Sequence, residues 1–332
     1  MRIGLLVIFL CLLPPANAFA QASIYALVVS SASGNPDFKD KFWSWSSQLV
    51  QVLRDEMKVP SDHIVLLTED PTMQPQLANG KATKVEMTRA LESLESKIKP
   101  ENRLLIFLIG HGSFDGRDYK FNLVGPDITG PEIKTHLDRF GSARIVLVST
   151  TPCSGVLTKT LSQKGRVIVT ATKSEFEGNE TIFGEFLVEA FKNKAADTDK
   201  NSSVSILEAY LYAAQKVDSW YKEKGRLATE HPLLEDNGDA VGVARPSPAN
   251  GEGLLAARIS LPEATAVLAS GATASSDPEL QALYAARQKL EEAIQELKYK
   301  KASLAEAEYN RQMESLLIQL AQTSQKISAK KK

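Results

Sequence analysis

The feature that most restricts this chain is a set of apolar runs without alternation. RLLIFLI (103–109), IVLV (145–148) and the VIV centre of RVIVTA (166–171) are apolar on both faces. A strand that is apolar at nearly every position must be covered on both sides, which is the condition of a parallel sheet inside an α/β protein. SIYALVVS (23–30) and HIVLL (63–67) read as two further strands. Helical patterns lie between them. Asp37 is placed to cap a helix carrying Phe38, Phe42, Trp45, Leu49, Val52 and Leu53 on one face, and Thr83 with Glu86 forms a capping box opening a helix to about residue 98. Strands alternating with amphipathic helices predict an α/β domain over 21–245, a mostly parallel sheet with helices on both faces. Functional groups in such sheets collect beyond the carboxyl ends of the strands.

Two residues occupy such ends. His111 follows the run 103–109 between Gly110 and Gly112, and Cys153 follows the run 145–148 after Thr150, Thr151 and Pro152. Glycines beside a histidine let backbone approach a ligand. A cysteine between a buried strand and a helix start is placed where N–H groups favour thiolate, and the pair suits nucleophilic catalysis. The competing reading of Cys153 is a small core residue, since free cysteine is often buried. His63, His136 and His231 fall at a strand start, in a helix and in a polar loop.

The first 20 residues read as a targeting segment. Arg2 precedes an apolar stretch over 3–13, and Ala18, Phe19 and Ala20 form a small-x-small cleavage site. The expectation is an exported protein, periplasmic or secreted, with no membrane span because the apolar run is too short. Of the 2 cysteines, Cys11 leaves with that segment. A lone Cys153 in an oxidising compartment is a liability unless buried or used. With 39 basic and 40 acidic residues the chain has no electrostatic footprint for nucleic acid.

Residues 246–276 are rich in Pro, Gly, Ala and Ser and read as a linker. Over 277–329, Leu283, Leu290, Leu297 and Leu304 recur every seven residues, and Ser303 with Glu306 forms another capping box. A coiled-coil-like helical hairpin is expected, with one long helix as the alternative; it offers a packing seam for a protein partner or self-association. Between two helical stretches, Asp197, Asp199, Asn201, Ser203, Ser205 and Glu208 match the alternating oxygen ligands of an EF-hand calcium loop, with Ser202 where a glycine is usual. A structural Ca²⁺ is one reading. The other is an Asp/Asn-rich turn whose side chains cap the helix of Glu208. The acidic stretch 235–239 reads as a turn.

Taken together, the apolar strand ending in His-Gly, the second apolar strand ending in Cys-x-Gly, and the stretches TATKSEFEGNETIFGEF (170–186) and ATEHPLLEDNGD (228–239) resemble the caspase-like cysteine peptidases, closest to the legumain family and its exported bacterial relatives. The resemblance implies a caspase-like fold and a cysteine endopeptidase acting on peptide or protein substrates without a catalytic cofactor. It implies Cys153 as nucleophile, His111 as general acid/base, and the N–H groups of Gly112 and Cys153 as oxyanion hole. Thr151 and Pro152 stand where legumains carry Glu-Ala, the Glu being part of the specificity pocket. Glu175 and Glu177 are the candidates to line that pocket here, favouring a basic or amide side chain. Two other functions fit the same residues: a catalytically silent binding scaffold that docks partners through 277–329, and a transpeptidase or amide hydrolase that shares the thioacyl step.

Overall fold

The computed structural model describes residues 23–192, 194–247, 251–261, 277–299, 301 and 304–330. The targeting segment expected over 1–20 lies outside them, as do Ser303 and the later part of the expected linker. Seven strands form one sheet: β1 (Ile24–Ser30), β2 (Ile64–Thr68), β3 (Gly80–Lys81), β4 (Arg103–Ile109), β8 (Arg144–Ser149), β9 (Arg166–Thr170) and β11 (Leu233–Glu235). Their order is β11-β9-β8-β4-β1-β2-β3, parallel except for β11 at one edge.

The apolar runs are explained by two cores. Odd and even side chains of a strand point to opposite faces. Leu105, Phe107, Ile109, Val146 and Val148 enter one core, together with residues of the helices α1 (Pro36–Gln51), α5 (Phe183–Lys192) and α6 (Ile206–Glu223). Leu104, Ile106, Leu108, Ile145 and Leu147 enter the other, with residues of α2 (Lys84–Lys97), α3 (Gly130–Leu137) and α4 (Val156–Leu161). Burying one such leucine or phenylalanine side chain contributes about 2 kcal/mol, so polar substitution on either face is costly.

Local signals set the helix starts. Thr83 accepts the Glu86 N–H as expected. For α1 the cap is Asn35, which accepts from Phe38 with Pro36 in the first turn; Asp37 lies inside the helix, complementing its dipole. Ser205 and Glu208 form a full capping box on α6.

Two regions differ from expectation. The connection between His111 and Cys153 is more than a helical crossover. It contains a small antiparallel sheet of β5 (Gly112–Phe114), β6 (Tyr119–Phe121) and β7 (Ile128–Thr129) before α3. In the expected linker, residues 251–261 are packed instead of loose. α7 (Leu254–Ala257) lies against α6, β12 (Ser260–Leu261) pairs with β10 (Val204–Ser205), and Ala256 and Ile259 are fully buried. Composition misled because small residues suit close packing as well as loose connection.

Further on, one helix spans Pro278–Tyr299 and another Glu306–Lys330. Leu280, Tyr284 and Ile327 pack together, and Lys330 pairs with Asp277 and Glu279. Among the described residues, no helix is long and apolar enough to cross a membrane.

Candidate functional site

β4 and β8 are hydrogen-bonded neighbours, with Leu108 opposite Ser149. Their parallel pairing sends the chain at His111 and the chain at Cys153 out of the same edge of the sheet.

His111 is held by its backbone and by its ring. Gly110 has φ +127°, and a Cβ there would meet Ser31 Oγ at 2.0 Å. Only glycine allows this approach, which lets the His111 N–H donate to Ser31 Oγ at 2.8 Å. The ring meets Phe38 and Phe42 edge-on, at 4.6 and 4.9 Å between centroids. Its Nε2 lies 3.2 Å from the Ser33 carbonyl. A carbonyl only accepts, so the proton sits on Nε2 and the neutral ring keeps its basic lone pair at Nδ1. Burial pushes the His111 pKa down; the Ser33 carbonyl and the Glu180 charge oppose this, and Lys41 adds to it.

Cys153 sits in a turn with φ +57°, the left-handed region, and is 6 % exposed. Non-glycine residues in that conformation are costly and persist only where the surroundings impose them. Here a hydroxyl network does so. Ser154 Oγ donates to the Thr151 carbonyl at 2.7 Å and accepts from the Ala171 and Thr172 N–H groups. Thr172 Oγ1 accepts the Gly155 N–H at 3.0 Å, and Thr181 Oγ1 donates to the Thr150 carbonyl at 2.5 Å. A Cβ on Gly155 would lie 2.2 Å from the Lys173 carbonyl carbon, so this glycine lets the loop 171–181 close on the turn.

That closure changes the expected chemistry. The Cys153 N–H donates to the Glu177 carbonyl at 2.9 Å, so this half of the expected oxyanion hole is filled by the protein itself. The thiol is not activated as the helix-start argument expects. Burial pushes its pKa up, the Glu175 charge pushes it further, and only the Phe114 N–H opposes them. α4 begins three residues later and has 6 residues, too short a dipole to offset desolvation. The other expected donor, Gly112, lies in β5. Asn122 N–H bonds the His111 carbonyl, which makes Gly112 and Phe121 a non-hydrogen-bonded pair and turns the Gly112 N–H away from β6. Among the described residues, His111 and Cys153 make no hydrogen bond to each other.

The two pocket candidates separate. Glu175 is half-buried and close enough to Cys153 to raise its pKa. Glu177 is committed elsewhere: its carboxylate bonds the His231 ring and N–H and the Lys173 N–H. It is therefore a fastening of the loop, not a free pocket wall. Beside them Phe176 is 85 % exposed. Thr151 is buried, and its hydroxyl bonds Tyr119 at 2.7 Å, so it faces inward and not toward a ligand.

Sequence reasoning missed Glu230. It is 1 % exposed and accepts the Ile182 and Phe183 N–H groups, satisfying the start of α5. Burial raises its pKa to about 7 against those hydrogen bonds. Its position inside ATEHP was the only available signal.

In the loop 197–208, carboxylate oxygens of Asp197, Asp199 and Glu208 lie within 4.8 Å of one another. Asn201 and Ser202 N–H groups donate to Asp197, and Ser202 has φ +71°, the conformation for which glycine is usual. Asn201 bonds the Ser203 hydroxyl, and Ser205 caps α6. Both Glu208 oxygens accept hydrogen bonds, from Thr198 and Ser205. The helix-capping reading thus describes bonds that are present, while the carboxylates remain close enough to share a cation.

No protein-family model matches the chain, and no curated protein matches it.

Proposed function

We propose that this protein is a caspase-like cysteine endopeptidase using Cys153 and His111. The observation that carries the reading is the pairing of β4 with β8, which brings a glycine-flanked histidine and the one described cysteine to the same sheet edge. Cys153 Sγ attacks the scissile carbonyl carbon. Its proton passes through Nδ1 of His111 to the leaving amine as the C–N bond breaks and a thioester forms. Water then cleaves the C–S bond, releasing the acid and restoring the thiol. The Gly112 N–H, and the Cys153 N–H once Glu177 withdraws, stabilise the oxyanion. Glu175 favours a basic substrate side chain.

On this reading the described state is a resting one: burial pushes the thiol pKa up and the imidazole pKa down, and the loop 171–181 covers the turn. The same closure favours the second reading, a silent scaffold docking partners through a helical hairpin over 277–329. A transpeptidase would differ only in using an amine in place of water. The further proposals are export to the periplasm or beyond, and a structural Ca²⁺ on Asp197, Asp199, Asn201, Ser203, Ser205 and Glu208.

A peptidyl acyl electrophile directed at thiols distinguishes these. Labelling at Cys153 that His111→Ala slows sharply supports the enzyme; no labelling of the full chain, with no cleavage of a positional-scanning peptide library, leaves the scaffold.

A further inference from the structure

Glu235 ends β11 with its carboxyl group inside the protein, at 0 % exposure. Oε1 accepts the Gly238 N–H at 2.6 Å. Oε2 is shut away from solvent and has no hydrogen-bond partner. The Ser162 hydroxyl is near enough to ease the burial of this carboxyl, but it accepts the Ala240 N–H and does not bond Oε2. An orphaned carboxylate oxygen in a protein interior is costly, and a native structure seldom keeps one without a use.

Two other carboxylates lie beside that of Glu235. One oxygen each from Glu235, Asp239 and Glu252 lies within 4.8 Å of the others. Glu252 is 1 % exposed and comes from the packed segment before α7; its Oε2 accepts the Asp236 N–H at 2.9 Å. Asp239 is exposed and is steadied by Val241 N–H and Asn237 Nδ2. Asp236 belongs to a different task, since its two oxygens accept the Gly253 and Ala256 N–H groups. The turn that brings Asp239 back requires glycine: Gly238 has φ +83°, and a Cβ there would lie 2.8 Å from the Lys164 nitrogen.

We propose that Glu235, Asp239 and Glu252 bind a hard divalent cation of the calcium type, with Glu235 Oε2 as the innermost ligand. The donors are all oxygen, without imidazole or thiolate, which suits calcium or magnesium over zinc or copper. The cation supplies the partner that Oε2 lacks and neutralises two carboxyls that the fold buries side by side. Exposed Asp239 gives it a way in from solvent. The site differs from the loop 197–208, where both Glu208 oxygens already have donors. It also has a structural consequence. The cation ties the edge strand β11 to the segment 251–261, which reaches across to pair with β10 at the start of α6.

The test is calorimetric titration of the full chain, stripped with EDTA, with CaCl₂ alone and separately with MgCl₂. Wild type is expected to show a binding event and a raised Tm. That event persists in Glu208→Gln and weakens at least tenfold in Glu235→Gln and in Asp239→Asn. Asp239 is at the surface, so Asp239→Asn decides the matter should Glu235→Gln fail to fold. Absence of binding by either ion in wild type overturns the proposal. So does a set of binding events that Asp239→Asn leaves wholly unchanged.

Discussion

The turn around Cys153 and the acidic cluster around Glu235 are both largely buried, polar and assembled from distant parts of the chain, but they are completed differently. At the turn, the protein's own groups close the arrangement: Ser154, Thr172 and Thr181 hold the backbone, and the Glu177 carbonyl takes the Cys153 N–H. At the cluster, Glu235 Oε2 has no hydrogen-bond partner. A satisfied polar network can rest as it is, and a ligand must displace something to enter it. An unsatisfied one asks for a ligand. On the functions proposed above, the first arrangement is a closed resting state and the second a site for an ion.

The turn is tested most directly at Cys153, the proposed nucleophile. Cys153→Ala is expected to abolish labelling by a peptidyl acyl electrophile and all peptide cleavage; residual labelling by mass spectrometry would place the reactive group elsewhere. His111→Ala should slow acylation at least about 100-fold, the usual scale of a lost general acid/base. A change of less than twofold, with the protein still folded by circular dichroism, removes His111 from the reaction.

Gly155→Ala tests whether the closed loop is part of the folded core. Its Cβ must push Lys173 backbone away, and overpacking of this kind costs about 1–3 kcal/mol. An unchanged denaturant midpoint would mean that the loop lifts off freely.

Glu230 tests the start of α5 by pH. Its pKa rises from the ordinary 4.5 to about 7 on folding, chiefly through burial. Between those values the native state binds more protons than the unfolded one, so stability falls as pH rises from about 4.5 to about 7 and the loss is complete above that. The fall amounts to at most about 3 kcal/mol. Glu230→Gln should flatten this part of the stability–pH curve, and a slope identical to wild type would assign it to other groups. The smallest effect is expected at Glu177→Gln. Losing the charge that holds His231 and Lys173 should loosen the loop and raise the rate of Cys153 alkylation by about twofold to fivefold, on the scale of a half-exposed ion pair. A slower rate would show that the loop does not limit access.

The parts legible in the chain were those written in local pattern. Apolar runs at 103–109 and 145–148 announced strands because each alternate residue had a core to enter, and Thr83 announced a helix through its own hydroxyl. The strands β5, β6 and β7 were not legible, being 2 or 3 residues long and lacking any period to read. Glu177 read as a pocket carboxylate because nothing in its neighbourhood in sequence points to His231, its partner 54 positions away. Glu252 likewise carried no signal inside a stretch that read as linker.

The α/β alternation, the placement of His111 and Cys153 at strand ends, and the acidic composition of the loop 197–208 are all written in local stretches of the chain. Periodicity, capping and loop chemistry act over a few residues, so they survive in a one-dimensional record. It takes the fold to bury the Cys153 thiol and push its pKa up, to spend its N–H on the Glu177 carbonyl, and to bring Glu235, with an oxygen to spare, beside Glu252. Burial, the direction of a pKa shift and the presence of a donor are properties of what surrounds a group, and those surroundings come from segments that only folding brings together.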